Sequence, residues 1–214
     1  MAKQLVIGFF LLLFTGLFSG LAMAIEEPKY RVIEQSGDFK LRVYDPKIIA
    51  EVEVPGTLKQ ASSKGFRLIA DYIFGNNTSQ TGAISNGNSE SISMTAPVTM
   101  QAKSEKISMT APVSMEDTGQ TWRMHFVMPS QYTLATLPKP NNPAVTIRQI
   151  PGNKYAVIRF SGFAGKAKAD KKTAELEKWL KSKNIKPIGQ PELARYNPPW
   201  TLPFMRRNEV MIKY

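Results

Sequence analysis

Residues 39–73 have the sequence FKLRVYDPKIIAEVEVPGTLKQASSKGFRLIADYI, in which one apolar periodicity gives way to another. Apolar residues alternate over 39–43 and again over 50–54, which predicts two half-buried strands. After Pro55 and Gly56 the spacing becomes helical, with Thr57 as an N-cap and an apolar stripe at Leu58, Ala61, Gly65, Leu68, Ile69, Tyr72 and Ile73. The stretch therefore predicts strands that lead into an amphipathic helix.

The same order of elements occurs in both halves of the chain. Residues 30–33 precede the turn 36–38, so they are expected to pair with 39–44 as a hairpin. In the second half, 145–150 and 155–160 flank a Pro-Gly-Asn turn and are expected to form another hairpin. A helix is predicted over 166–183, and a closing strand over 209–214. Because the order appears twice, we expect an α+β domain of two similar halves, each placing one helix against an antiparallel sheet.

Composition excludes several kinds of chemistry. The chain has 214 residues, no cysteine and one histidine, His125, and its formal net charge is +11. Without cysteine there is no disulfide, no thiolate nucleophile and no thiolate-bound metal, and a single imidazole excludes sites that need two. The sequence contains no GxSxG turn and no glycine-rich phosphate loop. We therefore expect a binding protein and not an enzyme.

The N-terminus has the pattern of a targeting segment. Lys3 precedes an uncharged apolar run over 5–24 that ends in the small-x-small sequence Ala22-Met23-Ala24. This pattern predicts a secretory signal over residues 1–24, followed by one domain over 25–214, and an exported protein that is periplasmic if the source is bacterial. An uncleaved membrane anchor is the alternative, because about 20 apolar residues suffice to cross a bilayer.

A direct repeat occupies the middle of the chain. ISMTAPVTM at 92–100 recurs as ISMTAPVSM at 107–115, which places Met94 and Met109 at the same position of the two copies. In extended chain the apolar residues of each copy share one face, and Pro97 and Pro112 indicate an edge strand or a bulge. Two interpretations stay open, an ordinary core strand or an adaptable wall for a flat apolar ligand.

Further motifs follow the repeat in a fixed order. They are WRMHFVMP at 122–129, LPKP at 137–140, RFSG at 159–162, and ARYNPPWT at 194–201 leading to RNEV at 207–210. Together with the doubled MTAPV, this set resembles the SOUL haem-binding protein family over residues 28–214. The resemblance implies a distorted antiparallel β-barrel with two flanking helices and pseudo-twofold symmetry. It also implies non-covalent binding of haem or a related tetrapyrrole in an apolar cleft beside the first helix, by a carrier or buffer.

Five residues are the candidate contacts of such a ligand. Met94 and Met109 would form the apolar wall, and Lys64 and Arg67, three apart on the first helix, would meet the propionates unless they only cover a solvated face. His125 is the one candidate axial ligand. The alternation around it puts Trp122, Met124, Phe126 and Met128 on the core side. We therefore expect His125 to face solvent or a polar groove, and haem to be held mainly by apolar contact and charge.

Other functions remain open at this point. Six methionines, at positions 94, 100, 109, 115, 124 and 128, are soft ligands that suit Cu(I) in an exported protein. An interaction module that binds no haem is a further alternative. The eight lysines between Lys166 and Lys186 indicate a solvated helix or weak contact with anionic envelope surfaces. A nucleic-acid partner is not expected, because no reading motif accompanies the charge.

Overall fold

The computed structural model describes residues 26–78, 80, 111–118 and 121–214. Within them, helix α1 is Leu58–Ile73, helix α2 is Lys166–Ser182, and a short 3₁₀ helix is Pro203–Met205. The strands are β1 Tyr30–Ser36, β2 Phe39–Tyr44, β3 Lys47–Pro55, β4 Asn77–Thr78, β5 Val113–Asp117, β6 Thr121–Val127, β7 Lys139–Pro140, β8 Thr146–Ile150, β9 Lys154–Phe160, β10 Glu192–Arg195 and β11 Asn208–Lys213. Residues 1–24 and the repeat up to residue 110 lie outside the described residues, so the predictions made for them stay predictions.

Helix α1 begins and ends where its sequence predicts. The Thr57 hydroxyl accepts a hydrogen bond from the Gln60 backbone N–H at 3.4 Å, and the Gln60 side chain accepts one from the Thr57 N–H at 3.1 Å. This reciprocal capping box satisfies two backbone donors that the first turn leaves without partners. The predicted stripe is confirmed, because six of its seven residues are buried, namely Leu58, Ala61, Gly65, Ile69, Tyr72 and Ile73.

Nine strands form one antiparallel sheet in the order β1-β2-β9-β11-β10-β5-β6-β3-β8. The order is symmetric about the β10–β5 pair: β10, β11, β9 and β2 on one side correspond to β5, β6, β3 and β8 on the other. In each half, two strands lead into one helix and a hairpin follows it. The predicted α+β class, with two flanking helices and a pseudo-twofold repeat, is therefore confirmed, and the sheet curls into a half-barrel.

The hairpin predicted in the second half is wrong in its pairing. Residues 145–150 and 155–160 do contain strands, but β8 pairs with β3, and β9 pairs with β2 and β11. The Pro-Gly-Asn link carries the chain across to the other half of the sheet. The hairpin predicted between 30–33 and 39–44 is confirmed by the β1–β2 pairing.

Two short links force the sheet to curl. Only Asp45 and Pro46 connect β2 to β3, although these strands lie six places apart in the sheet. Six places span about 29 Å in a flat sheet, whereas the step from Tyr44 to Lys47 covers at most about 11 Å. The β8–β9 link crosses at the same end, where a Cβ on Gly152 would lie 2.7 Å from the backbone oxygen of Tyr44. Glycine is required there by this close approach.

The two faces of the sheet have different roles. The helix face packs α1 and α2 over the main core, in which Phe39 stacks on Trp179 with ring centroids 5.1 Å apart. The opposite face lies inside the curl and is called the inner face below. It carries a second, smaller core of Tyr44, Tyr155, Val157, Ala194 and Met211, bordered by Tyr30 and Tyr196. The central strands are thus covered on both faces, whereas the outer strands β1 and β8 contain no fully buried residue.

A buried ion pair joins β2 to β11 on the inner face. The Arg42 guanidinium donates to both carboxylate oxygens of Glu209, at 2.7 and 3.0 Å, and also to the Tyr44 hydroxyl at 2.9 Å. The Tyr196 hydroxyl and Arg207 donate to the same carboxylate at 2.7 and 3.1 Å. The side chains of Arg42 and Glu209 are only 1% and 0% exposed. Their charges therefore depend on each other, because water reaches neither.

Strand β5 decides between the two alternatives predicted from Pro112. An edge strand or a break at a bulge was expected, because proline donates no hydrogen bond. The strand instead begins at Val113, directly after that proline, and pairs with β10 on one side and β6 on the other. A proline just before a strand removes no bond from the ladder, so it does not restrict the strand to an edge.

In the described part of the chain, no helix is long and apolar enough to cross a bilayer.

Candidate functional site

Large apolar side chains are exposed together around the loop between β10 and β11. Phe163, Trp200, Leu202, Phe204 and Met205 are 66%, 82%, 55%, 73% and 62% exposed. Single exposed apolar residues are ordinary, but a contiguous group of this kind marks a contact site for another molecule. These five residues are called the aromatic surface below.

Specific hydrogen bonds hold the aromatic surface together. The Gly162 N–H donates to the Pro203 carbonyl at 2.8 Å, and the Asn208 side-chain amide donates to the Gly162 carbonyl at 2.9 Å. Arg206 donates to the Thr201 carbonyl at 2.7 Å and lies over the Phe163 ring, 4.9 Å from its centroid. Phe163 and the loop therefore form a single unit, and the exposure of its apolar side chains is built into the fold.

Arg195 connects this unit to helix α1. Its guanidinium donates to the Ser62 hydroxyl at 3.0 Å and to the Ala164 carbonyl, next to Phe163, at 2.8 Å. Phe66 follows Ser62 by one helical turn, is 41% exposed, and packs on Phe126 with ring centroids 5.7 Å apart. The guanidinium thus lies between Phe66 on one side and the aromatic surface on the other.

The charge of Arg195 is not matched by a carboxylate. Both of its hydrogen-bond acceptors within the described ranges are neutral, and no ion pair to it is found there. Partial burial lowers its pKa, although the group stays charged because arginine starts from a very high value. A guanidinium has five N–H donors, and two are used here. Arg195 therefore has the charge and the donors to bind an anionic group that reaches it.

A groove between α1 and α2 lies over β10, on the same face of the sheet as Arg195, and has the opposite charge. It encloses about 770 Å³ over an apolar floor that includes Met115, Trp122 and Leu193. Its walls carry the carboxylates of Asp117, Asp170 and Glu177, with Lys166 as the cation. Leu193, which lines the groove, and Arg195 lie two residues apart on the same face of β10.

The Glu192 carboxyl lies on the inner face of the sheet, because Glu192 alternates with Leu193 along β10. Burial raises its pKa to about 7, Lys47 opposes this shift, and Glu116 adds to it. The Tyr155 hydroxyl donates a hydrogen bond to it at 3.2 Å. This pH response therefore belongs to the inner face. The carboxylates of Asp117, Asp170 and Glu177 in the groove repel anions.

His125 is placed differently from the prediction. It was expected to face solvent or a polar groove, but it is buried, 9% exposed, on the inner face between Glu51 on β3 and Ser114 on β5. The predicted alternation of core and non-core residues along β6 is confirmed, since Met124 and Phe126 do lie in the main core. The curl of the sheet then encloses the other face as well. Burial and the charges of Lys47, Arg148 and Arg123 lower the pKa of His125 to about 3.

We therefore expect the His125 imidazole to stay neutral at physiological pH. A base whose pKa is lowered in the folded state stabilises the fold above its ordinary pKa of 6.5, and this contribution is lost as the pH falls towards the lower value. NMR titration of the imidazole ¹H–¹⁵N or ¹H–¹³C signals should show no step between pH 8 and pH 5. A midpoint near 6.5 would contradict the enclosed position.

The other predicted site residues fall into two groups. Lys64 and Arg67 are exposed on α1. Lys64 lies about 200° around the helix from Phe66, and Arg67 about 100° from it, so Arg67 is the nearer of the two to the Phe66 side. His125 is on the opposite face of the sheet from both. Met94 and Met109 lie outside the described residues.

The soft-metal alternative loses half of its ligands. Met115, Met124 and Met128 are 2%, 1% and 4% exposed and pack in the main core. The Met115 sulfur accepts a hydrogen bond from the Ser62 hydroxyl, and the Met124 sulfur lies against Gly65 of α1. Across the described ranges, no group of three or more His, Cys, Asp or Glu side chains is arranged to hold a metal ion.

Comparison with solved structures shows what this fold is similar to. The C-terminal domain of EcmrR matches with a TM-score of 0.56 at 8% identity, over 86% of this chain and 96% of that one. A protein from Listeria innocua described as a hydrolase matches with a TM-score of 0.52 at 10% identity, over 84% and 93%. At such identities the likeness establishes the fold alone. A search of curated proteins finds no match.

The sequence itself matches a family over nearly its whole length. The family is described as SOUL heme-binding protein, and the match covers residues 25–213. This range includes both halves of the sheet, both helices, Arg195 and the aromatic surface. The chain therefore belongs to the SOUL haem-binding protein family.

Proposed function

We propose that this protein binds haem or a related tetrapyrrole without a covalent bond, and that the ligand lies on the aromatic surface. Membership of the SOUL family supports the class of ligand. The observation that carries the position is the group of exposed apolar side chains beside Arg195, in which Trp200 is 82% exposed. A flat apolar macrocycle with carboxylates at its margin needs these two features, an apolar face and a nearby cation.

The chemistry of the surface fits a tetrapyrrole better than the groove does. The rings of Phe163, Trp200 and Phe204 supply the polarizable contacts that a planar aromatic ligand prefers. The acidic part of the groove has room for a ligand, but its carboxylates repel propionates. The macrocycle would therefore cover the aromatic surface and extend towards Phe66 on α1.

In this arrangement the iron has no histidine or cysteine ligand. His125 is enclosed on the other side of the sheet, and the chain has no cysteine. Neither residue type would bind the haem iron. Apolar contact and charge would provide the affinity. Porphyrins without iron are then expected to bind comparably. A role as carrier or buffer follows more readily from such binding than catalysis does.

The N-terminal sequence bears on where in the cell this function takes place. We propose that residues 1–24 direct export and are removed, so that the mature protein handles the tetrapyrrole outside the cytoplasm. The apolar run and the Ala22-Met23-Ala24 sequence support this proposal. Mass spectrometry of the mature protein from its native host tests it, with an N-terminus at Ile25 as the expected result and one at Met1 or Ala2 as the contrary result.

Titration of the purified protein with hemin and with protoporphyrin IX tests the function. We expect a Soret shift for hemin, quenching of the exposed Trp200 for both ligands, and dissociation constants within about tenfold of each other, because no bond to iron separates them. A parallel titration with Cu(I) tests the alternative. Uptake of Cu(I) without any porphyrin binding would overturn the proposal.

A further inference from the structure

The arrangement of charge around the aromatic surface is one-sided. Arg195 is a cation without a carboxylate partner among the described residues, and it lies at one margin of the surface. Beyond it, on the same face of the sheet, the groove carries the carboxylates of Asp117, Asp170 and Glu177. Arg206 adds a second guanidinium over the Phe163 ring. A ligand that covers the surface therefore meets guanidinium groups there and repulsion where it extends into the groove.

We propose, on the basis of the proposed function, that Arg195 is the residue that reads ligand carboxylates, and that the site selects tetrapyrroles whose carboxylates lie along one edge. Protoporphyrin and haem have two propionates on the same edge. That edge would meet Arg195, and the apolar remainder would cover Phe163 and the loop. Coproporphyrin and uroporphyrin have four and eight carboxylates around the ring, so some of theirs would be pressed against apolar side chains or turned towards the groove.

The structure gives Arg195 the properties that this role requires. Its guanidinium is fixed at two points, by the Ser62 hydroxyl and the Ala164 carbonyl, so little side-chain freedom is lost when a ligand binds. Its remaining N–H donors suit a carboxylate, which arginine binds more specifically than lysine does. Partial burial strengthens the attraction, because water competes less than at an open surface.

Measuring the affinities of two ligands for two proteins, in all four combinations, tests this inference. The ligands are protoporphyrin IX and its dimethyl ester, and the proteins are the natural chain and the Arg195→Gln variant. We expect the natural chain to bind the free acid roughly tenfold to a hundredfold more tightly than the ester, as for a hydrogen-bonded charge pair. Arg195→Gln should bind both ligands with the affinity that the natural chain has for the ester, and Arg195→Lys should recover part of the difference.

The possible results distinguish a failure of this inference from a failure of the proposed function on which it rests. If the natural chain binds acid and ester equally, or if Arg195→Gln weakens both equally, Arg195 only supports the fold and the inference is overturned. Equal binding of uroporphyrin and protoporphyrin would also overturn it. Because the first comparison uses the natural chain alone, an unstable variant does not prevent a decision. If protoporphyrin IX, its dimethyl ester and uroporphyrin all fail to bind, the proposed function itself is wrong.

Discussion

Phe204→Asp is expected to weaken hemin binding by roughly tenfold to a hundredfold. Covering an exposed aromatic side chain contributes about 1.5–3 kcal/mol, and a tenfold change in affinity corresponds to about 1.4 kcal/mol. An added carboxylate also repels the propionates. Since Phe204 is 73% exposed, the free energy of unfolding should change by less than about 0.5 kcal/mol. Hemin titration and urea unfolding of the same preparation measure the two effects.

Ile188→Asp is the matched control for this experiment. Ile188 is also apolar and 66% exposed, but it lies outside the loop, where its backbone N–H donates to the Lys213 carbonyl. The same change of chemistry there should leave hemin affinity as it is. Equal weakening by both variants would mean that net charge, and not the aromatic surface, controls binding. Unchanged binding in Phe204→Asp would place the ligand elsewhere.

Glu209→Gln is expected to have the largest effect on stability, a loss of about 3–5 kcal/mol in the free energy of unfolding. Removing one charge of a buried pair leaves the other without compensation. Arg42 would keep its positive charge at 1% exposure, and its two bonds to a carboxylate would be reduced to one bond to a neutral amide oxygen. Denaturant unfolding measures the loss. A loss below about 1 kcal/mol would contradict the account of this pair, since that is the range of exposed pairs.

Two further variants are the controls for Glu209→Gln. Lys166 and Asp170 form an exposed ion pair at 3.0 Å, so Asp170→Asn should cost no more than about 0.5 kcal/mol. Replacing both buried charges, as in Arg42→Met with Glu209→Leu, should recover much of the stability that Glu209→Gln loses. Replacement of a whole buried pair by apolar residues is often neutral or better.

The pH dependence of stability follows from the same pair. Burial alone would raise the pKa of the Glu209 carboxyl, but the hydrogen bond and charge of Arg42, with the Tyr196 hydroxyl and Arg207, hold that pKa below its ordinary value of 4.5. A carboxyl with a lowered folded pKa contributes stability above the ordinary value, and this contribution is lost as the pH falls through the folded value. Glu209→Gln should therefore flatten the acid limb of the stability profile.

The sequence predicted those parts of the fold that local periodicity specifies. Helix α1 needed only its cap at Thr57 and its apolar stripe, and the duplicated order of elements indicated the two halves. Strand partners were harder to predict. The strands before and after Gly152 looked like a hairpin because the turn residues were right. Their true partners, β3 for β8, and β2 and β11 for β9, are distant in sequence, and no local pattern specifies them.

The site was less predictable than the fold for a similar reason. Alternation in β6 correctly put His125 opposite the helices, but it gave no indication that the sheet curls over that face. The apolar wall was predicted at the methionine repeat, whereas the ARYNPPWT motif contains both Arg195 and Trp200. A signal was present in that motif and the TLPFM sequence that overlaps it, where aromatic and apolar residues occur among prolines. Apolar residues in a proline-rich loop are seldom part of a packed core.

The position of the ligand is tested most directly by NMR with two forms of one macrocycle. Spectra of the ¹⁵N-labelled protein with zinc protoporphyrin and with hemin differ by paramagnetic broadening, which marks amides near the iron. With the ligand on the aromatic surface, we expect broadening centred on residues 162–164 and 199–206 and extending to Phe66 on α1. Broadening centred on Asp117 and Asp170 in the groove, or on the strand around His125, would contradict this position.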